Sequence, residues 1–253
     1  DNDLIIWPEA AIPKLEFLSR AWLRELDNEA ATQNTAIVTG IVNYNFETEQ
    51  IWNSLIVLGQ QDNKPGGDYR YSEANRYAKH HLLPIGEFVP FEDILRPLAP
   101  LFDLPMSSFS RGDFSQTNLQ ANGIQLAPAI CFEIAFPRQV AANIHNDTDI
   151  LLTVSNDAWF GHSHGPAQHL QIAQTRALEM GRPVIRATNN GITAFIDAKG
   201  AITSRLPQFE QGTITDKVQI TRGTTPYRSV GDFPMAMILL FALISVWWYQ
   251  RHK

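Results

Sequence analysis

A single cysteine, Cys131, ends the apolar run Ile124 to Ile130 and is followed by Phe132-Glu133-Ile134, where a strand gives way to a loop or helix. A thiol attacks a carbonyl as its thiolate, and with an unperturbed pKa of about 8.5 it needs a base or a cation beside it near neutral pH. Two residues stand in comparable positions. Glu9 follows the strand-like run Leu4 to Pro8, and Lys79 lies within Arg76-Tyr77-Ala78-Lys79-His80-His81-Leu82-Leu83-Pro84. A thiol, a carboxylate and an ammonium group are the ingredients of covalent acyl transfer: the carboxylate accepts a proton, and the ammonium favours a thiolate and an oxyanion. Singly, each has an ordinary reading as well, Cys131 as a small buried apolar residue and Glu9 and Lys79 as solvated charges.

These three positions need a scaffold that brings distant strand ends together. Short apolar, β-branched runs recur at Leu4–Trp7, Ala36–Val42, Ser54–Leu58, Ile124–Cys131, Ile150–Ser155, Pro183–Ala187, Ile192–Ile196 and Thr213–Ile220, each the length of a strand. The continuous run Ile150-Leu151-Leu152-Thr153-Val154 predicts a strand covered on both faces. Leu15–Leu26, Gln139–Ile144 and Ala167–Met180 carry apolar residues at helical spacing and predict amphipathic helices. Turn residues at Asn63-Lys64-Pro65-Gly66-Gly67, Asn189-Asn190-Gly191 and Ala198-Lys199-Gly200 separate them, the last two bracketing a hairpin strand. The pattern is that of one α/β domain of mixed layers, with no internal repeat.

The formal net charge of −6 and the scattered Lys and Arg offer no basic stripe, which argues against nucleic-acid binding. One cysteine excludes an intrachain disulfide and an all-cysteine metal site; His162-Ser163-His164 lacks a third ligand at convincing spacing, so no metal and no cofactor is expected. The stretch Ile85–Arg111 mixes Pro90, Pro97, Pro100 and Pro105 with Phe88, Phe91, Leu98 and Phe102, and reads either as a loop tucked onto the core or as an apolar flap at a pocket. Residues 233–249 carry no charge, end in Trp247-Trp248-Tyr249 and are followed by Arg251-His252-Lys253. That sequence predicts a transmembrane helix with an aromatic belt and, by the positive-inside rule, a cytoplasmic tail over residues 250–253 with the preceding domain on the opposite side.

Four phrases carry the triad: Trp7-Pro8-Glu9-Ala10-Ala11, Tyr77-Ala78-Lys79-His80-His81-Leu82, Gly86-Glu87-Phe88-Val89-Pro90 and Ala129-Ile130-Cys131-Phe132-Glu133. They resemble the Glu-Lys-Cys triad of the nitrilase, or carbon-nitrogen hydrolase, superfamily. Further phrases, Arg96-Pro97-Leu98-Ala99-Pro100, Asp103 to Gly112, Ser155-Asn156-Asp157-Ala158-Trp159-Phe160-Gly161 and Thr188-Asn189-Asn190-Gly191-Ile192, resemble the bacterial apolipoprotein N-acyltransferase family within it. Phe132 stands where many family members carry Tyr.

The resemblance implies an αββα four-layer sandwich over residues 1–222, whose first strand precedes this sequence, then a linker over 223–232 and the transmembrane helix over 233–249. It implies Cys131 as nucleophile, Glu9 as base and Lys79 as the cation that stabilises the oxyanion, with Glu87 and Glu133 as supporting site residues and Phe88 and Phe102 at the substrate entrance. The implied reaction is ping-pong: a phospholipid, phosphatidylethanolamine, loads its acyl chain onto Cys131, and the N-terminal amine of the diacylglyceryl-cysteine of an apolipoprotein takes it. The implied location is the inner membrane of a Gram-negative-type bacterium, with the catalytic domain in the periplasm. Two alternatives stay open, a membrane-tethered carbon-nitrogen hydrolase using the same triad and an inactive binding domain.

Overall fold

The computed structural model describes residues 3–61, 67, 69–71, 75–84, 86–88 and 109–252. The expected turn at Asn63 to Gly66 and most of the Pro-rich stretch, including Phe102, lie outside the described residues.

Two sheets form. The first contains β1 (Leu4–Ile6), β2 (Ile12–Leu15), β3 (Ala36–Tyr44), β4 (Ile51–Gly59) and β5 (Arg76–Ala78); the second runs in the order β11 (Ile202–Leu206), β10 (Thr193–Ile196), β9 (Val184–Thr188), β8 (Ile150–Ser155), β7 (Ile124–Ile130), β6 (Leu119–Ala121). β7, β8 and β9 are mutually parallel, and each was legible as a mainly apolar run because both faces are covered.

Alternation within each strand sends side chains to two cores. Ala36, Val38, Leu55 and Val57 of the first sheet meet Leu126, Ile130, Leu152, Val154 and Ile185 of the second. On the outer side of the first sheet, α1 (Arg20–Thr32) packs Leu23 and Ala30 against Ile37, Ile41, Ile56 and Leu58. Outside the second sheet, α2 (Pro137–Ala142) and α3 (Gly165–Met180) cover Ala127, Ala129, Leu151 and Val184 through Val140, Leu170, Ala173 and Ala177. The result is helix, sheet, sheet, helix: a four-layer αββα sandwich.

The expected strand at Thr213–Ile220 does not form. Ile214, Asp216 and Val218 are half-buried and their neighbours exposed, so the period-two pattern is real, but Asp216 meets the neighbouring strand through side chains, accepting from the hydroxyls of Thr203 (2.6 Å) and Ser204 (3.0 Å). β2, β5, β6 and β11 lie outside the apolar runs of the sequence, and β2 contains Pro13, tolerated beside β3 at the edge of its sheet.

After the second sheet the chain is tied down at several points. Thr221 donates to the Gly181 carbonyl (2.7 Å), Arg182 to that of Gly223 (3.1 Å) and Arg228 to that of Ile144 (2.8 Å), around the short helix α4 (Pro226–Val230). From there α5 (Phe233–Arg251) extends for 19 residues with a mean hydropathy of 1.6 and none of that surface buried. At about 1.5 Å per residue it is about 28 Å long, close to the hydrocarbon thickness of a bilayer.

Candidate active site

Glu9, Lys79 and Cys131 each follow the C-terminal end of a strand: β1, β5 and β7. β1 and β5 run parallel to β3, the second through two antiparallel pairings, so both strands of the first sheet deliver their ends to the same edge. The open carboxyl edge of such sheets is where an α/β scaffold leaves side chains free to meet.

Glu9 owes its place to a break in an edge strand. β1 pairs with the first part of β3 and β2 with the last part, and the chain between them turns tightly over Gly40, with the Trp7 N–H still donating to the Val38 carbonyl (2.8 Å) and the Gly40 N–H to that of Pro8 (3.3 Å). A Cβ at Gly40 would lie 2.4 Å from the Ala10 nitrogen and 2.7 Å from the Pro8 oxygen, so only glycine lets the turn sit so low. The second sheet then grips the turn. The backbone N–H of Asn156, just past β8, donates to Glu9 Oε2 (2.8 Å), and the Asn189 amide, just past β9, donates to the Glu9 carbonyl (3.1 Å).

Lys79 is 2% exposed and lies between two carboxylates, donating to Glu87 Oε1 (2.8 Å) and Glu9 Oε1 (3.2 Å). Asn53 bridges the same two oxygens, donating to Glu9 (2.8 Å) and Glu87 (3.0 Å). Burial pulls the ammonium's pKa down, but Glu9, Cys131 and Glu87 more than offset it, and the group sits above the ordinary lysine range. Its carboxylate neighbours thus favour the charged ammonium.

Cys131 opens a short 3-10 turn, Cys131–Ala135, with φ of +53°. The left-handed region costs a side-chain-bearing residue about 1 kcal/mol or more, and such strain persists only where surrounding contacts enforce it. The thiol pKa is pushed up to about 11, first by burial and then by the Glu9 charge, with Lys79 and a hydrogen bond to Ser155 acting the other way. Together these influences favour the protonated thiol over the thiolate.

The two supporting carboxylates separate. Glu87 touches Lys79 and also accepts from the Leu83 N–H at 2.8 Å. Glu133 is wholly buried and contacts neither Lys79's ammonium nor a solvent path: Oε1 accepts from the N–H groups of His80 (2.7 Å) and His81 (3.1 Å) and from Gln139 (2.9 Å), while Oε2 accepts from Tyr77 (3.0 Å) and the Ile130 N–H (2.8 Å). It ties the chain after Lys79 to the chain before Cys131. Phe88 is half-buried beneath the Arg111 guanidinium, 5.0 Å from its ring centre, and Phe132 meets Phe136 edge-on at 4.9 Å.

Asn53 and His169 lie outside the phrases that carry the family resemblance, and Asn156, Asp157 and Asn189 lie within them without an assigned role. Asp157 and His169 are buried behind Cys131 with Ser155 and Arg186. The available signal was Thr153, Ser155 and Arg186: polar residues inside otherwise apolar covered strands. His162, by contrast, packs on Phe209 with ring centres 4.5 Å apart, and His164 is exposed before α3.

The chain is also similar to known proteins in sequence and in fold. The carbon-nitrogen hydrolase family model matches residues 1–226. The chain is 54% identical over 253 residues to an apolipoprotein N-acyltransferase of Vibrio parahaemolyticus, covering 100% of this chain and 49% of that protein. It is 43% identical over 252 residues to the Pseudomonas aeruginosa protein of the same name, covering 97% of this chain and 47% of that one. The chain thus spans about half the length of the curated relatives it matches. Among solved structures, an amidase of the nitrilase superfamily from Nesterenkonia superposes with a TM-score of 0.57 at 16% identity, over 83% of this chain and 75% of that one. A glutamine-dependent NAD+ synthetase from Acinetobacter baumannii gives 0.55 at 20% identity, over 84% and 38%. At those identities the likeness concerns the fold alone.

Proposed function

The chain belongs to the carbon-nitrogen hydrolase family, and from that premise we propose that it is the catalytic part of an apolipoprotein N-acyltransferase. The observation that carries this reading is the match over the whole chain, bare apolar helix included, to proteins of that name, set against 16% identity to an amidase of the nitrilase superfamily. The catalytic domain is residues 1–222, residues 223–232 link it to a transmembrane helix over 233–249, and residues 250–253 form a cytoplasmic tail. The active site then faces the periplasm from the inner membrane.

Because the thiol is neutral at rest, the reaction begins with general-base catalysis. As the Cys131 sulfur attacks the ester carbonyl of a phospholipid, Glu9 takes the thiol proton and the carbonyl oxygen becomes an oxyanion beside the Lys79 ammonium. Collapse expels the lysophospholipid alkoxide, which receives the proton back from Glu9 and leaves a thioester. In the second half the N-terminal amine of a diacylglyceryl-cysteine attacks that thioester, Glu9 accepts the amine proton, and Cys131 departs as a thiolate that Lys79 steadies until it is reprotonated. Glu87 keeps Lys79 in place and charged, and Phe88, with Phe102, borders the entrance for acyl chains. Phosphatidylethanolamine is the expected donor.

The test is mass spectrometry of the full-length membrane protein in detergent after incubation with phosphatidylethanolamine. An acyl adduct on Cys131 that disappears in Cys131→Ala and moves to the amine of a synthetic diacylglyceryl-cysteine peptide is the expected result. An adduct that persists in Cys131→Ala removes the proposal, and release of free fatty acid with no acylated peptide makes the protein a hydrolase.

A further inference from the structure

The outer face of the second sheet changes character toward its carboxyl edge. Under the middle of α3 it is apolar, with Leu151, Val184, Ala194 and Ala173 in contact. One turn nearer the active site the same strand faces present Ser155 and Arg186, and α3 answers with His169. Asp157, in the 3-10 turn after β8, joins them, so four polar side chains are buried directly beneath Cys131.

Their contacts form a closed set. His169 Nε2 lies 3.0 Å from the carbonyl oxygen of Cys131, and since a carbonyl only accepts, that nitrogen carries a proton and donates it. The ring's Nδ1 is 3.1 Å from Asp157 Oδ1 and 3.1 Å from Arg186 Nη2. Arg186 Nη2 donates to Asp157 Oδ2 (2.6 Å), and Ser155 donates to Asp157 Oδ1 (2.6 Å). Burial raises the Asp157 pKa, but His169, Arg186 and Ser155 together bring it below the ordinary aspartate value, so the carboxylate stays ionised. Asp157 leaves no room for a side chain at position 191, where a Cβ would lie 2.1 Å from its Oδ2; the Asn189-Asn190-Gly191 turn is built around it.

We propose that Ser155, Asp157, His169 and Arg186 are positioning residues: His169 holds the carbonyl of Cys131 and thereby its left-handed backbone, Ser155 orients the sulfur, and the Asp157–Arg186 ion pair fixes both. The inference rests on Cys131 being the nucleophile. It accounts for the strained turn, because a peptide plane gripped by its carbonyl cannot relax to the right-handed region without breaking a buried hydrogen bond. It also gives Ser155 two partners for one hydroxyl proton, Asp157 at rest and the sulfur once negative charge develops there.

The experiment compares His169→Leu with His169→Gln in the full-length protein, since a glutamine Nε2–H reaches where the imidazole Nε2–H does. Acyl-enzyme formation from phospholipid and alkylation of Cys131 by iodoacetamide are both followed. His169→Leu is expected to slow acylation about 100-fold at nearly unchanged KM, the scale of a small misplacement of a reacting group, and His169→Gln to recover to within about 5-fold. Ser155→Ala is expected to move the pH midpoint of alkylation upward, with Glu9, Lys79, Asp157 and Arg186 still facing the thiol. A folded His169→Leu protein that acylates like the parent, or a His169→Gln protein as impaired as the leucine variant, overturns the proposal. The alkylation arm needs no acyl transfer, so a failure of the proposed reaction shows itself separately, as a parent protein that alkylates normally and never acylates.

Discussion

Two carboxylates border the chain that carries Lys79, and the protein uses them in opposite ways. Glu133 sits at 0% exposure and accepts five hydrogen bonds, three of them from the backbone of His80, His81 and Ile130. Glu87 keeps 13% of its side chain exposed and directs one oxygen at the ammonium of Lys79. The first carboxylate is joined to a framework and the second to a reacting group. The difference teaches that a carboxylate's work is set by what it accepts from: a set of backbone donors makes a strut, and a buried ammonium makes a charge partner.

The largest expected effect is on the strut. Glu133→Gln turns one acceptor into an NH2 donor facing donors already in place, and at about 1–3 kcal/mol for each buried group left unpaired the variant loses about 3 kcal/mol or more. Thermal unfolding of the full-length protein in detergent would read this as a large fall in midpoint. Glu87→Gln is expected to stay within about 1 kcal/mol of the parent, since its amide oxygen still serves Lys79 and its surroundings are partly open. Equal destabilisation in the two variants would break the comparison.

The next effect is on rate, and here the order reverses. Glu87→Gln removes a negative charge from beside Lys79 and weakens its grip, so acyl-enzyme formation should fall by about 100-fold while the fold survives, a typical loss for one element of oxyanion stabilisation. Single-turnover acylation by mass spectrometry checks this. A rate within a factor of about two of the parent would assign Glu87 no share in the chemistry.

The sequence could not have separated these two residues. Glu87 and Glu133 stand in equally suggestive phrases, and only the meeting of β5 with the turn after β7 decides which one faces Lys79. Glu9, Lys79 and Cys131 were legible as a set through the phrases that carry the family resemblance, and so was the four-layer sandwich; the mainly apolar runs of β3, β7, β8 and β9 by themselves indicated a mixed α/β domain. The positioning cluster was not legible, since Ser155, Asp157, His169 and Arg186 come from four elements, and the polar residues Ser155 and Arg186 within apolar strands do not by themselves say which side chains they meet. Thr213–Ile220 misled in the other direction: its alternation reflects a half-buried course, and a ladder of backbone hydrogen bonds needs a partner strand that the pattern cannot report.

Glu9 supplies the smallest and sharpest test, because it shares Lys79 with Glu87 yet also acts on Cys131. With the thiol pKa pushed up to about 11, the protonated form is favoured at pH 8. Burial is the larger cause and the Glu9 charge the second, so removing that charge lowers the thiol pKa and increases the thiolate present at any pH below it. Glu9→Gln should therefore alkylate at Cys131 several-fold faster than the parent at pH 8, on the order of tenfold if the pKa falls by about one unit, even as it loses acyl transfer for want of a base. Glu87→Gln, whose charge meets Lys79 and not the sulfur, should leave the alkylation rate close to the parent's. Parallel rates of iodoacetamide labelling across pH 7 to 10 decide the matter. Slower labelling in Glu9→Gln would mean that Glu9 sustains a resting thiolate, and the neutral thiol that requires a general base would have to be abandoned.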